Sequence, residues 1–156
     1  IGLVGGVVIA QVIGVFEEVL QKEALLITFI PLIVYLANAV GVQSQMLYIR
    51  DTVISDRVHI WTFLRRQLLE VTSMGLISWV LLIGATSLLW GRPYLGVIVG
   101  LAMISAIIVA TIQSVLIPRI LIQFKQDPAV GSGPLATILQ DMTSVLIYLA
   151  IVHALL

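Results

Sequence analysis

The chemistry in this sequence starts from one carboxylate, Asp141, set in the apolar run "LATILQDMTSVLIYLAIVHALL". An ionised group at the centre of a lipid-embedded helix costs about 2.5 to 3.5 kcal/mol, so it normally faces a cavity or a partner. Helical spacing gives Asp141 polar company, because Pro134, Thr137, Ser144 and Tyr148 lie at offsets of −7, −4, +3 and +7 on the same face. A second stripe lies in "FIPLIVYLANAVGVQSQMLY", where Pro31, Gly41 and Gln45 sit at −7, +3 and +7 from Asn38. Pro31 also removes a backbone donor and frees the carbonyl one turn earlier, which membrane helices tolerate where that carbonyl is satisfied again.

Two such helices can wall a common aqueous path. The polar groups on both faces carry oxygen, and neither face has His or Cys. Oxygen ligands suit hard cations such as Mg²⁺ and Ca²⁺ rather than Zn²⁺ or Cu⁺. One carboxylate per chain is thin for a divalent ion, whereas two chains meeting at an axis supply two, which implies a homodimer. Mg²⁺ sheds its water reluctantly, so a sparse site of this kind holds it through its hydration shell. The alternative reading of Asp141 is a buried, hydrogen-bonded group that fixes helix packing.

These residues need helices that cross a membrane. The chain has 156 residues, 60% hydrophobic and 10% charged, with a mean hydropathy of +1.16. A soluble domain carries about 25% charged residues, and a globule this small cannot bury so much apolar surface. At roughly 20 apolar residues per crossing, five spans are expected: 1–21, 24–48, 61–90 (apolar from Gln67), 95–117 and 133–156. The expected fold is an all-α integral membrane bundle of five transmembrane helices in a single domain. Counting ~1.5 Å per residue from Gly133 puts Asp141 ~12 Å along the last helix, within the hydrocarbon.

Arg50, Arg57, Arg65, Arg66, Arg119 and Lys125 fall on one side of these spans, and Lys22 and Arg92 on the other. Cytoplasmic loops retain Lys and Arg, so the N-terminus is expected inside and the C-terminus outside the cell (plasma or inner) membrane. Gly2, Gly6, Ala10 and Gly14, and likewise Ala102, Ala106, Ala110 and Ser114, form small-residue ladders that let helix backbones approach closely.

Other classes find little support. Net charge is zero and no basic run exists, so nucleic acid is not an expected partner. Absence of cysteine excludes disulfides and thiol chemistry. No nucleophile–base pair, phosphate-binding glycine loop or HExxH motif is present, so no enzyme is expected. His59 and His153 have no metal-ligand spacing. Glu70 is placed to pair with Arg66 four residues earlier, and Glu17, Glu18, Lys22 and Glu23 read as a solvated helix end.

The stretch "DPAVGSGPLATILQD" followed by "LIYLA" resembles the last helix of the MgtE magnesium channel and transporter family. The second span's "P…N…G.QSQ…R" resembles that family's motif leading to a cytoplasmic Arg, and "WGRPYLGVIVGLA" fits its outer turn. This resemblance implies a homodimer with a central pore on the two-fold axis, lined by the second and fifth helices. It implies that Asp141 holds hydrated Mg²⁺, with Asn38, Thr137 and Gly133 around the ion and Asp127 near the cytoplasmic mouth. The sequence departs from the family pattern in "YLANAVGVQ", where Leu36, Ala37 and Ala39 replace glycines, and in Ile138 after Thr137. The family's cytosolic N-terminal domain and paired CBS modules are absent from this chain. The expected function is therefore divalent cation transport, with Mg²⁺ ahead of Mn²⁺, Co²⁺ or Ca²⁺. A secondary transporter of another cation or solute, and a non-transporting membrane scaffold, are the alternatives.

Overall fold

The computed structural model describes residues 2–54, 59–125 and 133–156. Every regular element among the described residues is a helix: α1 (Gly2–Val15), α2 (Glu17–Lys22), α3 (Leu25–Ile54), α4 (Ile60–Trp90), α5 (Pro93–Gln123) and α6 (Pro134–Leu155). Four of them, α3 to α6, are long and apolar enough to cross a bilayer.

The first expected span is divided. Phe16 adopts φ −98° and ψ 12°, in the sparsely allowed bridge region, and separates the 14 residues of α1 from the 6 of α2. At 1.5 Å per residue α1 covers only about 21 Å of the ~30 Å core. The ring of Phe16 meets His153 edge-on at 5.9 Å, tying this corner to the end of α6. Two of the other spans run longer than expected. Helix α3 continues past the expected end at Tyr48 to Ile54, and α5 continues past Ile117 to Gln123, carrying Pro118 within it. Helices of 30 or 31 residues extend about 45 Å, so their charged ends reach the headgroup region.

Helix α5 is the hub, packing against α4, α3 and α6, while α6 also contacts α3 and α1. The ladder Ala102, Ala106, Ala110 and Ser114 is buried within this hub. The α1 ladder behaves differently. Gly2, Gly6 and Gly14 face open space, and it is Gly5 that meets α6, where a methyl would lie 2.8 Å from Ile138 Cγ2. One residue of offset turns a helix by about 100°, which moves the contact off the expected stripe.

Helices α4 and α5 are joined most tightly through Gly96 and Gly100, the pair in "GVIVG". A methyl on Gly96 would lie 2.5 Å from the Ile83 backbone, and one on Gly100 1.7 Å from the Trp79 ring. The Trp79 indole N–H donates to the Val97 carbonyl at 3.2 Å, holding the ring in that slot. The connection between the two helices turns on Gly91, at φ 65°, whose N–H donates to the Ser87 carbonyl. Pro93 then opens α5 at its first turn, a position where its missing N–H costs no helical bond.

At this same end, Glu23 accepts from Arg92 and, at 2.5 Å, from the Tyr94 hydroxyl. The side chain of Glu23 is only 13% exposed, so the expected solvated end is instead a clasp between the α2–α3 junction and the α4–α5 turn. Glu17, Glu18 and Lys22 are exposed as expected. Near the opposite end, Arg66 donates to Glu70 at 3.0 Å, the pairing anticipated from their spacing.

Candidate functional site

Asp141 and Asn38, placed on separate helices by the sequence, meet across the α3–α6 seam. The Asn38 Nδ2 donates to Asp141 Oδ1. Both side chains are half-buried, so the pair sits at the margin of the seam with one flank on the surface of the chain. That flank continues along exposed Pro31, Tyr35, Ala39, Val42 and Met46 of α3 and exposed Leu139, Leu146 and Ala150 of α6. Thr137, one turn before Asp141, is half-buried, and its hydroxyl donates to the carbonyl of exposed Gly133 at 3.0 Å. The Gly133 carbonyl also accepts from the Thr137 N–H at 3.1 Å, closing the first turn of α6.

The close approach that permits this pairing occurs one turn further along α3. A methyl on Gly41 would lie 2.6, 2.7 and 2.8 Å from the Nε2, Oε1 and Cδ atoms of Gln140. Only a residue without a side chain lets the Gln140 carboxamide lie against the α3 backbone here. Glycine at this position therefore sets the distance between the helices that carry Asn38 and Asp141.

The two polar stripes do not each face one space. Pro31 is exposed, Asn38 is half-buried, and Gly41 and Gln45 are buried. On α6, Asp141 is half-buried whereas Ser144 and Tyr148 are enclosed within the chain. Successive 7-residue steps drift by about 20° and a 3-residue step by about 60° on a helix of 3.6 residues per turn. Each stripe thus spans a wide arc, and the edge of the seam runs through it. Ser144 Oγ donates to the Gln140 carbonyl at 2.6 Å. The Tyr148 hydroxyl donates to the Leu26 carbonyl at 2.5 Å, which ties α6 to the start of α3. Pro134 occupies the first turn of α6, and Asp127 lies outside the described residues.

Two buried residues, Gln140 on α6 and Ser44 on α3, had no place in the sequence reading. Gln140 is 1% exposed and Ser44 is fully buried. Among the described residues, the buried side-chain polar atoms without a hydrogen-bond partner are Asn38 Oδ1, Ser44 Oγ and both polar atoms of Gln140. Each such atom costs about 1 to 3 kcal/mol; Asn38 and Gln140 belong to the α3–α6 contact, and Ser44 lies one turn beyond Gly41 on α3. The available signal was the run of polar residues at positions 140, 141, 143 and 144 within an apolar helix. A second polar contact crosses to the hub, where Thr143 Oγ1 donates to Gln113 Oε1 at 3.2 Å.

A site with one carboxylate, one carboxamide beside it and surrounding hydroxyl and backbone oxygens offers hydrogen bonds to water and charge to a cation. Among the described residues no three His, Cys, Asp or Glu side chains gather to hold a stripped metal ion.

The profile of the MgtE family, divalent cation transporters, matches residues 30–151. The magnesium transporter MgtE of Bacillus subtilis (strain 168) is 33% identical over 157 residues, covering 99% of this chain and 34% of that protein. The magnesium transporter MgtE of Enterococcus faecalis is 34% identical over 148 residues, covering 92% of this chain and 32% of that protein. The Thermus thermophilus magnesium transporter MgtE is 31% identical over 157 residues, 97% of this chain and 34% of its own length. This chain thus spans about a third of the length of these curated relatives. With the matched segment running from α3 into α6 and taking in both Asn38 and Asp141, the chain belongs to the MgtE family of divalent cation transporters.

Proposed function

We propose that this chain forms the ion-conducting part of a magnesium transporter, working as a homodimer with the pore between two α3–α6 faces. The observation that carries this reading is the Asn38–Asp141 pair, held at the margin of the seam with one flank on the protomer surface. Two such flanks brought together place two carboxylates on one axis. Asn38 fixes one oxygen of the carboxylate and orients the group. The other oxygen is then directed at water around the ion.

Magnitudes favour this arrangement over a purely structural Asp. A Mg²⁺ that keeps its water lies about 4.7 Å from a carboxylate, from a ~2.0 Å metal–oxygen distance plus one hydrogen bond. At an effective dielectric of about 20 the gross attraction is about 7 kcal/mol per carboxylate. That exceeds the roughly 3 kcal/mol cost of holding one ionised Asp in the membrane. Water-mediated holding suits Mg²⁺ ahead of Ca²⁺, which takes six to eight direct oxygens. Mn²⁺ and Co²⁺ come next on the same oxygen chemistry. Thr137 and the Gly133 carbonyl add neutral contacts one and two turns before the Asp. Asp127, ahead of α6, serves as a second cation position at the entrance. The end bearing Arg50, Arg65, Arg66, Arg119 and Lys125 faces the cytoplasm.

The bond to Asn38 also fits an Asp kept for packing. Mg²⁺ uptake into proteoliposomes separates the two readings. Asp141→Asn retains a hydrogen bond to Asn38, so the protein folds and assembles, and uptake falls at least a hundredfold. Undiminished uptake by that variant removes the ion-holding role.

A further inference from the structure

Helix α4 packs chiefly on α5 and turns another face outward. Its buried residues near the Arg-bearing end, Gln67, Val71 and Gly75, face the bundle. Arg65 lies two residues, or about 200°, from Gln67 and is exposed. One turn to either side stand Trp61 and Leu69, 79% and 63% exposed. A concavity of about 540 Å³ follows this ridge between Trp61, Thr62, Arg65, Arg66, Leu69 and Glu70. A second, of about 380 Å³, runs along its other flank over Leu64 and Leu68. Arg50 and Arg92 are bonded to Asp51 and Glu23, and Arg66 gives its Nε–H to Glu70. Among the described residues, Arg65 has no ion-pair or hydrogen-bond partner.

Depth along α4 says what meets this face. Trp61 and Trp90 stand 29 residues apart on the helix, about 43 Å, the thickness of a bilayer with both headgroup layers. Tryptophan favours those two layers. With Trp90 in one and Trp61 in the other, Arg65 lies about 6 Å inward of Trp61, at the level of the phosphates. Exposed Leu69, Leu76 and Val80 continue the same face among the acyl chains. We propose that Trp61, Arg65 and Arg66 bind one anionic phospholipid. Its phosphate sits on the planar Arg65 fork, which matches phosphate geometry, and its chains run along Leu69, Leu76 and Val80. A zwitterionic headgroup brings its own cation up to two guanidinium groups, whereas an anionic one brings none. A second copy docking here through α4 sets Arg65 and Arg66 against like charges. The inference rests on α4 crossing the membrane and not on the ion-holding role of Asp141.

The test uses brominated lipids, which quench tryptophan fluorescence on contact. The full chain is reconstituted into vesicles of phosphatidylcholine and phosphatidylglycerol with one or the other lipid brominated. The Trp61 signal is the difference between each protein and the same protein carrying Trp61→Phe. Phosphatidylglycerol is expected to bind beside Trp61 about tenfold more strongly than phosphatidylcholine. Arg65→Gln lowers that ratio about fivefold, the effect of one Arg at an anionic leaflet. Arg65→Lys, which keeps the charge and loses the fork, lowers it at least twofold. Arg119→Gln, which removes an exposed Arg from α5, leaves the ratio at the parent value. A parent ratio near one, or an equal fall in Arg65→Gln and Arg119→Gln, overturns the site. If Arg65→Gln does not reconstitute, an unchanged ratio in Arg65→Lys overturns it. Loss of the preference on adding inorganic phosphate at constant ionic strength assigns the groove to a free anion and overturns the lipid. Trp61 quenched by neither lipid is covered by protein or lies outside the bilayer, and that result also overturns it. Mg²⁺ uptake by the parent in the same vesicles without a lipid preference sinks this inference alone. A lipid preference that follows Arg65 without uptake upholds the site and removes the transport reading.

Discussion

Gly41→Ala probes the contact that sets the spacing of the proposed site. The added methyl would lie 2.6 to 2.8 Å from three atoms of the Gln140 carboxamide, well inside van der Waals contact. Gln140 is 1% exposed, so its head cannot swing into open space without displacing neighbours. Overpacking of this kind costs about 1 to 3 kcal/mol. Alanine in place of glycine also returns up to about 1 kcal/mol of helix propensity. Gly84→Ala isolates that second contribution, because Gly84 lies in α4 with nothing within 4 Å of an added methyl. Measured by reversible unfolding in detergent micelles, Gly84→Ala is expected to be neutral or stabilising by up to about 1 kcal/mol. Gly41→Ala should fall below Gly84→Ala by about 1 to 3 kcal/mol. Adding Gln140→Ala removes the clashing group, so the double variant should recover most of that difference as a coupling energy. If the two glycine variants shift stability alike, or the cycle shows no coupling, the α3–α6 contact described above is refuted.

Gly100→Ala meets the pinned Trp79 ring at 1.7 Å and should cost at least about 3 kcal/mol, read as loss of monodisperse protein on size exclusion. Tyr148→Phe removes the bond to the Leu26 carbonyl and should lower unfolding free energy by about 0.5 to 1.5 kcal/mol. Mg²⁺ uptake per folded protein stays within twofold in that variant, because the ring is enclosed by the protomer; a large selective loss of uptake argues instead for a pore-wall Tyr148. Arg92→Ala strips the charged partner from the largely enclosed Glu23 and leaves it only the Tyr94 hydroxyl, so it should destabilise clearly more than Lys22→Ala in the same melts. Glu70→Gln breaks an exposed pair and should change stability by less than about 1 kcal/mol.

Helix type, the long apolar segments and the polar faces that carry Asn38 and Asp141 were readable because each depends on local spacing, whereas the bond between those two side chains spans 103 positions and was not. An i, i+3, i+4, i+7 pattern survives whatever the neighbours do. The break at Phe16 was not readable, since the run from Gly2 to Phe16 is apolar almost throughout and carries no proline. What a stripe faces was also beyond reach. Gly41, Asn38 and Pro31 share a stripe, yet they range from buried to exposed, because the seam edge depends on where α6 crosses. Gln140 carries no signal of its own beside the charged Asp141, although both of its polar atoms are buried without a partner. The α1 glycine ladder drew notice for its regularity, whereas the close contacts formed at Gly5, Gly96 and Gly100. Regular spacing makes a face available, and only the packing partner decides which face is used. Glu23 joined a clasp with Arg92 and Tyr94 that lies roughly seventy positions away in sequence and leaves no periodic trace.

The central claim is that two copies of Asp141 hold one hydrated divalent cation on a shared axis. Anomalous diffraction from crystals of the membrane-reconstituted protein soaked in Mn²⁺ tests it most directly. The account predicts one peak on the two-fold axis between the paired Asp141 side chains, at water-mediated distance, that is lost in Asp141→Ala. Asp141 side chains facing lipid or buried apart from one another, with no peak between them, would contradict it.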